Sequence, residues 1–209
     1  MARPQPLWSD AWWQAATSAD LLDVLFPGDR VPRSARNRRT VRLLYCAAAR
    51  QLNSDRPCAA CDGALVVSER FADGQAFLYE LTAARVAVKR HRYEQNRIDD
   101  PRTSCRGCLA VELACERHHR PPRFVKPWVV RDLFPDPSAP PVKVPKKWRT
   151  ATVVAVARGS YDDHAFDRLP VLADALEDAG CDSEPLLTHL RGPGPHVRGC
   201  WALDAVLGL

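Results

Sequence analysis

Four cysteines stand in two C-x-x-C knuckles, Cys58-Ala-Ala-Cys61 and Cys105-Arg-Gly-Cys108. Each knuckle can offer two thiolates, and two knuckles together complete the tetrahedral shell that zinc favours. The interval between them is longer than in a compact zinc ribbon, so an antiparallel helical pair would have to return the chain to its start. Cys115, His118 and His119 are close enough along the chain to substitute, and Cys105 and Cys108 with either histidine make a set within one segment. The same residues also suit plain packing. Cys105, Cys108 and Cys115 fall near one face of a helix, in an alanine-rich stretch where a thiol behaves as a small hydrophobe. Packing calls for no cofactor and the knuckles call for zinc; the spacing alone leaves both open. A redox pair is disfavoured, because no βαβ pattern surrounds either knuckle.

Arg36, Arg38, Arg39 and Arg42 form a second group, in a stretch from Arg30 to Arg50 that contains no acidic residue. Past Tyr161 the sign reverses, with Asp162, Asp163, Asp167, Asp174, Glu177 and Asp178 among the acids. Such polarity suits an anionic partner, and with Lys143, Lys146 and Lys147 the arginines can contact phosphates. It also suits attraction between the two halves of the chain. No recognition-helix, RNP or finger spacing accompanies the arginines.

Nothing in the sequence sets up catalysis. Cys181 and Cys200 are expected in the core, since unpaired cysteine is among the most buried residue types, and no motif pairs either with His189 or His196. Adjacent acids such as Asp162-Asp163 project in different directions. There is no Gly-rich phosphate loop, HExxH or GxSxG. No catalytic residue is expected, and the enzyme class is disfavoured.

The elements that must position these groups read as helices. Ser9 and Ser18 can cap two N-terminal helices, the second stopped by Pro27-Gly28. From Ser34 to Asn53, Val41, Leu44, Tyr45 and Ala48 recur at helical spacing. Ala64–Ala72 and Ala76–His91 favour helix around an Asp73-Gly74 turn, and Thr103–His119 a further one. WVVRDLF is a short helix among prolines. TATVV, at 150–154, permits strand as well as helix. LPVLADALEDAG and SEPLLTHLRG each show proline in the first turn and a closing glycine, and a last helix is expected from about Pro195. The expected fold is all-α, an irregular multi-helix bundle with a Pro-rich connector. Its regions are 1–120 with the basic helix and cysteines, 121–147 as connector, and 148–209 packed on the first region.

Residues 165–181, AFDRLPVLADALEDAGC, and 191–208, RGPGPHVRGCWALDAVLG, resemble the tail of a large paralogous family of uncharacterised planctomycete proteins. Glu69-Arg70-Phe71-Ala72-Asp73-Gly74 and Val130-Arg131-Asp132-Leu133-Phe134 are similar to shorter segments of that family. YCAAAR departs from it where a second cysteine and arginine pair is usual. The resemblance implies no activity, ligand or site residue. Physically, RGPGPHVRGCW reads as a rigid connection docking Trp201, or as a helix start whose His196 and Arg198 hold an anion.

With 46% hydrophobic and 26% charged residues, the composition is that of a globular chain that can bury a core. The N-terminus lacks the apolar run of a secretory signal, and no stretch approaches the roughly 18 apolar residues of a membrane span. A cytoplasmic, reducing setting with free thiols is expected, and no membrane partner. Two functions lead, a non-enzymatic protein-interaction module or a zinc-stabilised nucleic-acid-binding protein; an enzyme with an unfamiliar site would need convergent polar residues in a pocket.

Overall fold

The computed structural model describes residues 9–31, 34–53, 58–96, 108–115, 122 and 124–209. Among these the fold is all-α, as expected: eleven α-helices and three short 3-10 turns, with no strand. The chain divides into two compact units, Met1–Ala16 with Arg131–Leu209, and Thr17–Val130. The division falls inside a helix ahead of the proline-rich stretch, so the prolines from 135 onward belong to the first of these units. No helix among the described residues is long and apolar enough to cross a membrane.

The unit Thr17–Val130 is built around α3. It contains α2 (Ser18–Leu25), α3 (Ala35–Asn53), α4 (Ala59–Ala72), α5 (Leu78–Asn96) and α6 (Cys108–Ala114), and ends inside α7 (Pro127–Leu133). Thr40 to Ala49 are all buried, so α3 is covered on every side where the sequence pattern shows a single apolar face. Helices α4 and α6 both pack on it, and small alanines between Leu44 and Arg50 admit that close approach. The α2 cap is Thr17 rather than Ser18: Thr17 and Asp20 close a capping box, while the Ser18 hydroxyl donates to the Val125 carbonyl.

The other unit contains α1 (Asp10–Ala15), the end of α7, α8 (Ala151–Asp162), α9 (Leu169–Asp178), α10 (Glu184–Arg191) and α11 (Trp201–Leu207). Its core includes Val153, Leu172, Leu176, Leu190, Leu203 and Val206. The β-branched stretch is helical from Ala151, because the Thr150 side chain caps α8 by accepting the Val153 N–H and Val153 faces this core. Gly180 takes φ +82 after α9, where the Gly180 N–H donates to Glu177 and the Cys181 N–H to Leu176, a Schellman closure. The last helix begins at Trp201, not near Pro195, leaving 192–200 as an irregular loop.

Arg131 anchors α1 in this unit. Its guanidinium donates to the carbonyls of Trp13 at 2.8 Å, Gln14 at 2.6 Å and Ala16 at 2.8 Å. Carbonyls at a helix C-terminus have no intrahelical donor, and a fixed fork of N–H groups satisfies several at once. Arg131→Met is expected to destabilise the protein by about 2 kcal/mol, measured by urea unfolding. Trp fluorescence should report early release of Trp12 and Trp13.

Candidate metal centres

Both cysteines of the first knuckle meet Cys108 of the second. Cys58 is the N-cap residue of α4, Cys61 lies in its first turn, and Cys108 opens α6. Their three sulfurs lie within 4.8 Å of one another, and Cys61 Sγ is 3.3 Å from Cys108 Sγ. Cys61 is 0% exposed and Cys108 equally shut off from solvent. Cys105 lies outside the described residues, as do His118 and His119. On α5, His91 places Nε2 3.1 Å from Cys58 Sγ, at the edge of the thiol group. Cys115 does not join them: its thiol contacts the Ala64 carbonyl, and burial pushes its pKa up to about 11. That is a core cysteine.

The four arginines separate into two kinds. Arg36 and Arg38 are exposed near the start of α3. Arg39 pairs with the buried Asp73 carboxylate at 2.9 Å. Arg42 is 5% exposed, donates to the Ala114 carbonyl and lies 4.9 Å over the Phe71 ring. Only the first two stand where a phosphate backbone can reach them.

A second cluster, in the other unit, joins Asp132 to three residues that lie close together in the sequence but form no recognised motif. Asp132 sits in the last turn of α7, His189 in α10, His196 in the 192–200 loop, and Cys200 just ahead of α11. One donor atom from each lies within 4.8 Å of all the others. His189 Nε2 is 3.1 Å from Asp132 Oδ1 and 3.2 Å from Cys200 Sγ. His196 Nδ1 is 2.5 Å from Asp132 Oδ1 and 3.9 Å from Cys200 Sγ. The Val197 N–H donates to Asp132 Oδ2 at 2.8 Å.

Backbone geometry brings the loop into place. Gly199 takes φ +91, a left-handed turn that glycine adopts without a Cβ clash, and this turn delivers the fully buried Cys200. Because α11 starts only at Trp201, His196 and Arg198 do not occupy a helix N-terminus, and the anion reading of this stretch loses its basis. Trp201 packs against the His189 ring, with centroids 4.7 Å apart.

Electrostatics differ sharply between the two acids of this cluster. Burial works against the Asp132 carboxylate, but hydrogen bonds from His189 and His196 outweigh it and hold the group below the ordinary range. Burial pushes the Cys200 thiol well above its ordinary value, and the Asp132 charge adds to that; N–H groups of Leu203 and Ala202 oppose it. The clue available in the sequence was the local spacing His189, His196, Cys200; Asp132 lies 57 positions before His189 and shares no motif with it.

Comparison of the chain with family models, with curated proteins and with solved structures gave no match.

Proposed function

We propose that the protein is a non-enzymatic helical module that works by holding a partner helix against the outer face of α5. The observation that carries this is an apolar seam on that helix. Tyr79, Ala83, Val86, Arg90 and Tyr93 follow one another at intervals of four and three, the spacing of a coiled-coil seam. Tyr79 is 71% exposed, Val86 52% and Tyr93 66%. Phe77, also exposed, stacks on Tyr79 with centroids 5.8 Å apart. Leu81 and Val88 fix the opposite face of α5 in the core, where α4 and α6 pack. Aromatic side chains with an arginine among them are what interface centres are enriched in, and contiguous exposed apolar surface marks such sites. Arg90 in the seam favours a partner helix with an acidic residue opposite it.

A photo-crosslinking residue at Ala83 tests this. The wild-type background is expected to give a discrete adduct, with itself or with one partner, that maps to a helix. Val86→Glu with Tyr93→Glu should reduce that adduct at least tenfold. These positions are exposed, so stability should change by only about 0.5 kcal/mol. Diffuse or absent adducts would remove the reading.

A zinc ion on Cys58, Cys61 and Cys108 is a second element of the reading, supported by the convergence of sulfurs from both knuckles. By its C-x-x-C spacing Cys105 is the natural fourth thiolate, and His91 the alternative. Such an ion would tie α4 to α6 and fix the platform that carries α5. The nucleic-acid alternative is less well supported, because two of its four arginines are engaged inside the fold.

A further inference from the structure

We propose that Asp132, His189, His196 and Cys200 bind one zinc ion in a closed, tetrahedral, structural site that pins the end of α7 and the 192–200 loop to α10 and α11. This site is independent of the knuckle cysteines and of the α5 seam.

Three arrangements could bring an aspartate, two histidines and a cysteine together: a catalytic triad, a buried hydrogen-bond network, or a metal shell. A triad needs its histidine to use two different nitrogens, one toward the nucleophile and one toward the acid. Here a single nitrogen of His189, Nε2, faces both Asp132 and Cys200. His196 repeats the pattern with Nδ1. No relay runs through either ring.

A hydrogen-bond network satisfies the Asp132 carboxylate but does not use every contact. One ring nitrogen carries at most one proton, yet each of these nitrogens is shared between a carboxylate oxygen and a sulfur. His196 Nε2 is buried without a partner, so all polar contacts of that ring come through Nδ1. Four donor atoms gathered within 4.8 Å of one another are what a cation requires.

The separations lie on either side of those a zinc ion would set. Zinc–ligand lengths of about 2.0–2.3 Å in a tetrahedron place neighbouring donor atoms roughly 3.3–3.6 Å apart. The observed 3.1 Å and 3.2 Å about His189 fall just short of that range, and about His196 an ion would open the 2.5 Å contact, now a hydrogen-bond length, and shorten the 3.9 Å one. Charge balances as well: one carboxylate and one thiolate neutralise a dication, with two neutral imidazoles completing the shell. That lets a buried site hold an ion without net charge. Binding releases the Cys200 thiol proton to solvent, together with any proton shared by Asp132 and the histidines.

Outer groups are also in place. Val197 N–H occupies Asp132 Oδ2 and leaves Oδ1 for the ion, while the Ala202 and Leu203 N–H groups face the Cys200 sulfur. Such supports orient ligands and stabilise a thiolate. Two imidazoles, one thiolate and one carboxylate select zinc over magnesium or calcium, and four protein ligands leave no open position for substrate.

The test uses the full chain purified under reducing conditions, equilibrated with zinc, and examined by native mass spectrometry with fragmentation. Wild-type protein should retain zinc on C-terminal fragments that contain Asp132 to Cys200. Asp132→Asn and Cys200→Ser should each bind one zinc fewer, with an affinity loss of at least tenfold. Cobalt titration of unmodified protein gives an answer even where a variant does not fold. Tetrahedral visible bands and a single-thiolate charge-transfer band, persisting after the Cys61→Ala change, are expected. Zinc-free C-terminal fragments, unchanged zinc content in both variants, or rapid alkylation of Cys200 in folded zinc-equilibrated protein would overturn the site.

Discussion

Arg42→Ala is expected to destabilise the protein by about 3 kcal/mol. The reason lies in where this charge is. Arg42 is on the buried stretch of α3, its guanidinium donates to the Ala114 carbonyl at the end of α6, and it covers the face of Phe71 in α4. Burial lowers its pKa, while the nearby Cys46 and Cys115 groups oppose that shift. One side chain thus links three helices, and its stem contributes packing as well as charge. Truncation leaves a cavity between α3, α4 and α6 and removes a donor to the Ala114 carbonyl, while the Ser68 hydroxyl at 2.7 Å remains. Arg42→Lys should recover only a small part, because a lysine cannot keep the fork and the ring stacking together. Arg36→Ala with Arg38→Ala should stay within about 0.5 kcal/mol of wild type. Urea unfolding of the three variants measures this. The outcome also governs the nucleic-acid question. A fourfold arginine variant that loses binding would report unfolding as much as lost phosphate contacts. The Arg36 and Arg38 pair is the clean probe: if those two changes leave salt-sensitive binding intact, α3 is not the phosphate-binding face.

The helices were legible where their signals are local. Ser9 and Gly180 end or begin elements through bonds to residues three to five positions away, and a pattern read along the chain finds them; Thr150 caps α8 by an equally local bond, but the β-branched residues after it left strand open as well. Ser18 shows the limit. As a residue type it is as good a cap as Thr17, and what assigns the role is a bond from its hydroxyl to Val125, 107 positions on. The start of the last helix failed for a related reason. Pro195 fits a first turn, but the 192–200 loop is held by its contacts with Asp132, which its own sequence does not reveal.

The candidate sites divide in the same way. A C-x-x-C knuckle announces itself because both ligands lie on one turn, so Cys58, Cys61 and Cys108 could be nominated together. Arg42 and Arg36 look alike in the sequence, and only burial separates a structural cation from an exposed one. Asp132 sits in an ordinary short helix, and His189 and Cys200 each read as parts of a helical end. Only tertiary packing makes them one group. The exposed seam on α5 was hidden for the opposite reason: apolar spacing marks a helix face without telling whether the fold covers it.

Cys61→Ala should separate packing from metal binding at the knuckles, because the two predict different dependence on zinc. If Cys61 is only a small buried hydrophobe, removing its sulfur costs about 1–2 kcal/mol through a lost contact and a small cavity. That cost would be the same with zinc or with a chelator present. If Cys61 ligates an ion, the zinc-loaded wild type gains stability by mass action, about 4 kcal/mol at a thousandfold excess over the dissociation constant. The variant forfeits most of this, so the substitution should cost about 5 kcal/mol in zinc and about 1–2 kcal/mol in chelator. Urea midpoints of the two proteins in the two buffers give the coupling directly. Cys115→Ala is the internal control, since its thiol contacts the Ala64 carbonyl and stands apart from the three sulfurs. Its cost should not respond to zinc. Equal costs for Cys61→Ala in both buffers would make the knuckle cysteines packing residues and leave the α5 platform held by α3, α4 and α6 alone. A zinc-dependent cost confined to Cys61 would make metal binding and the integrity of that platform one equilibrium.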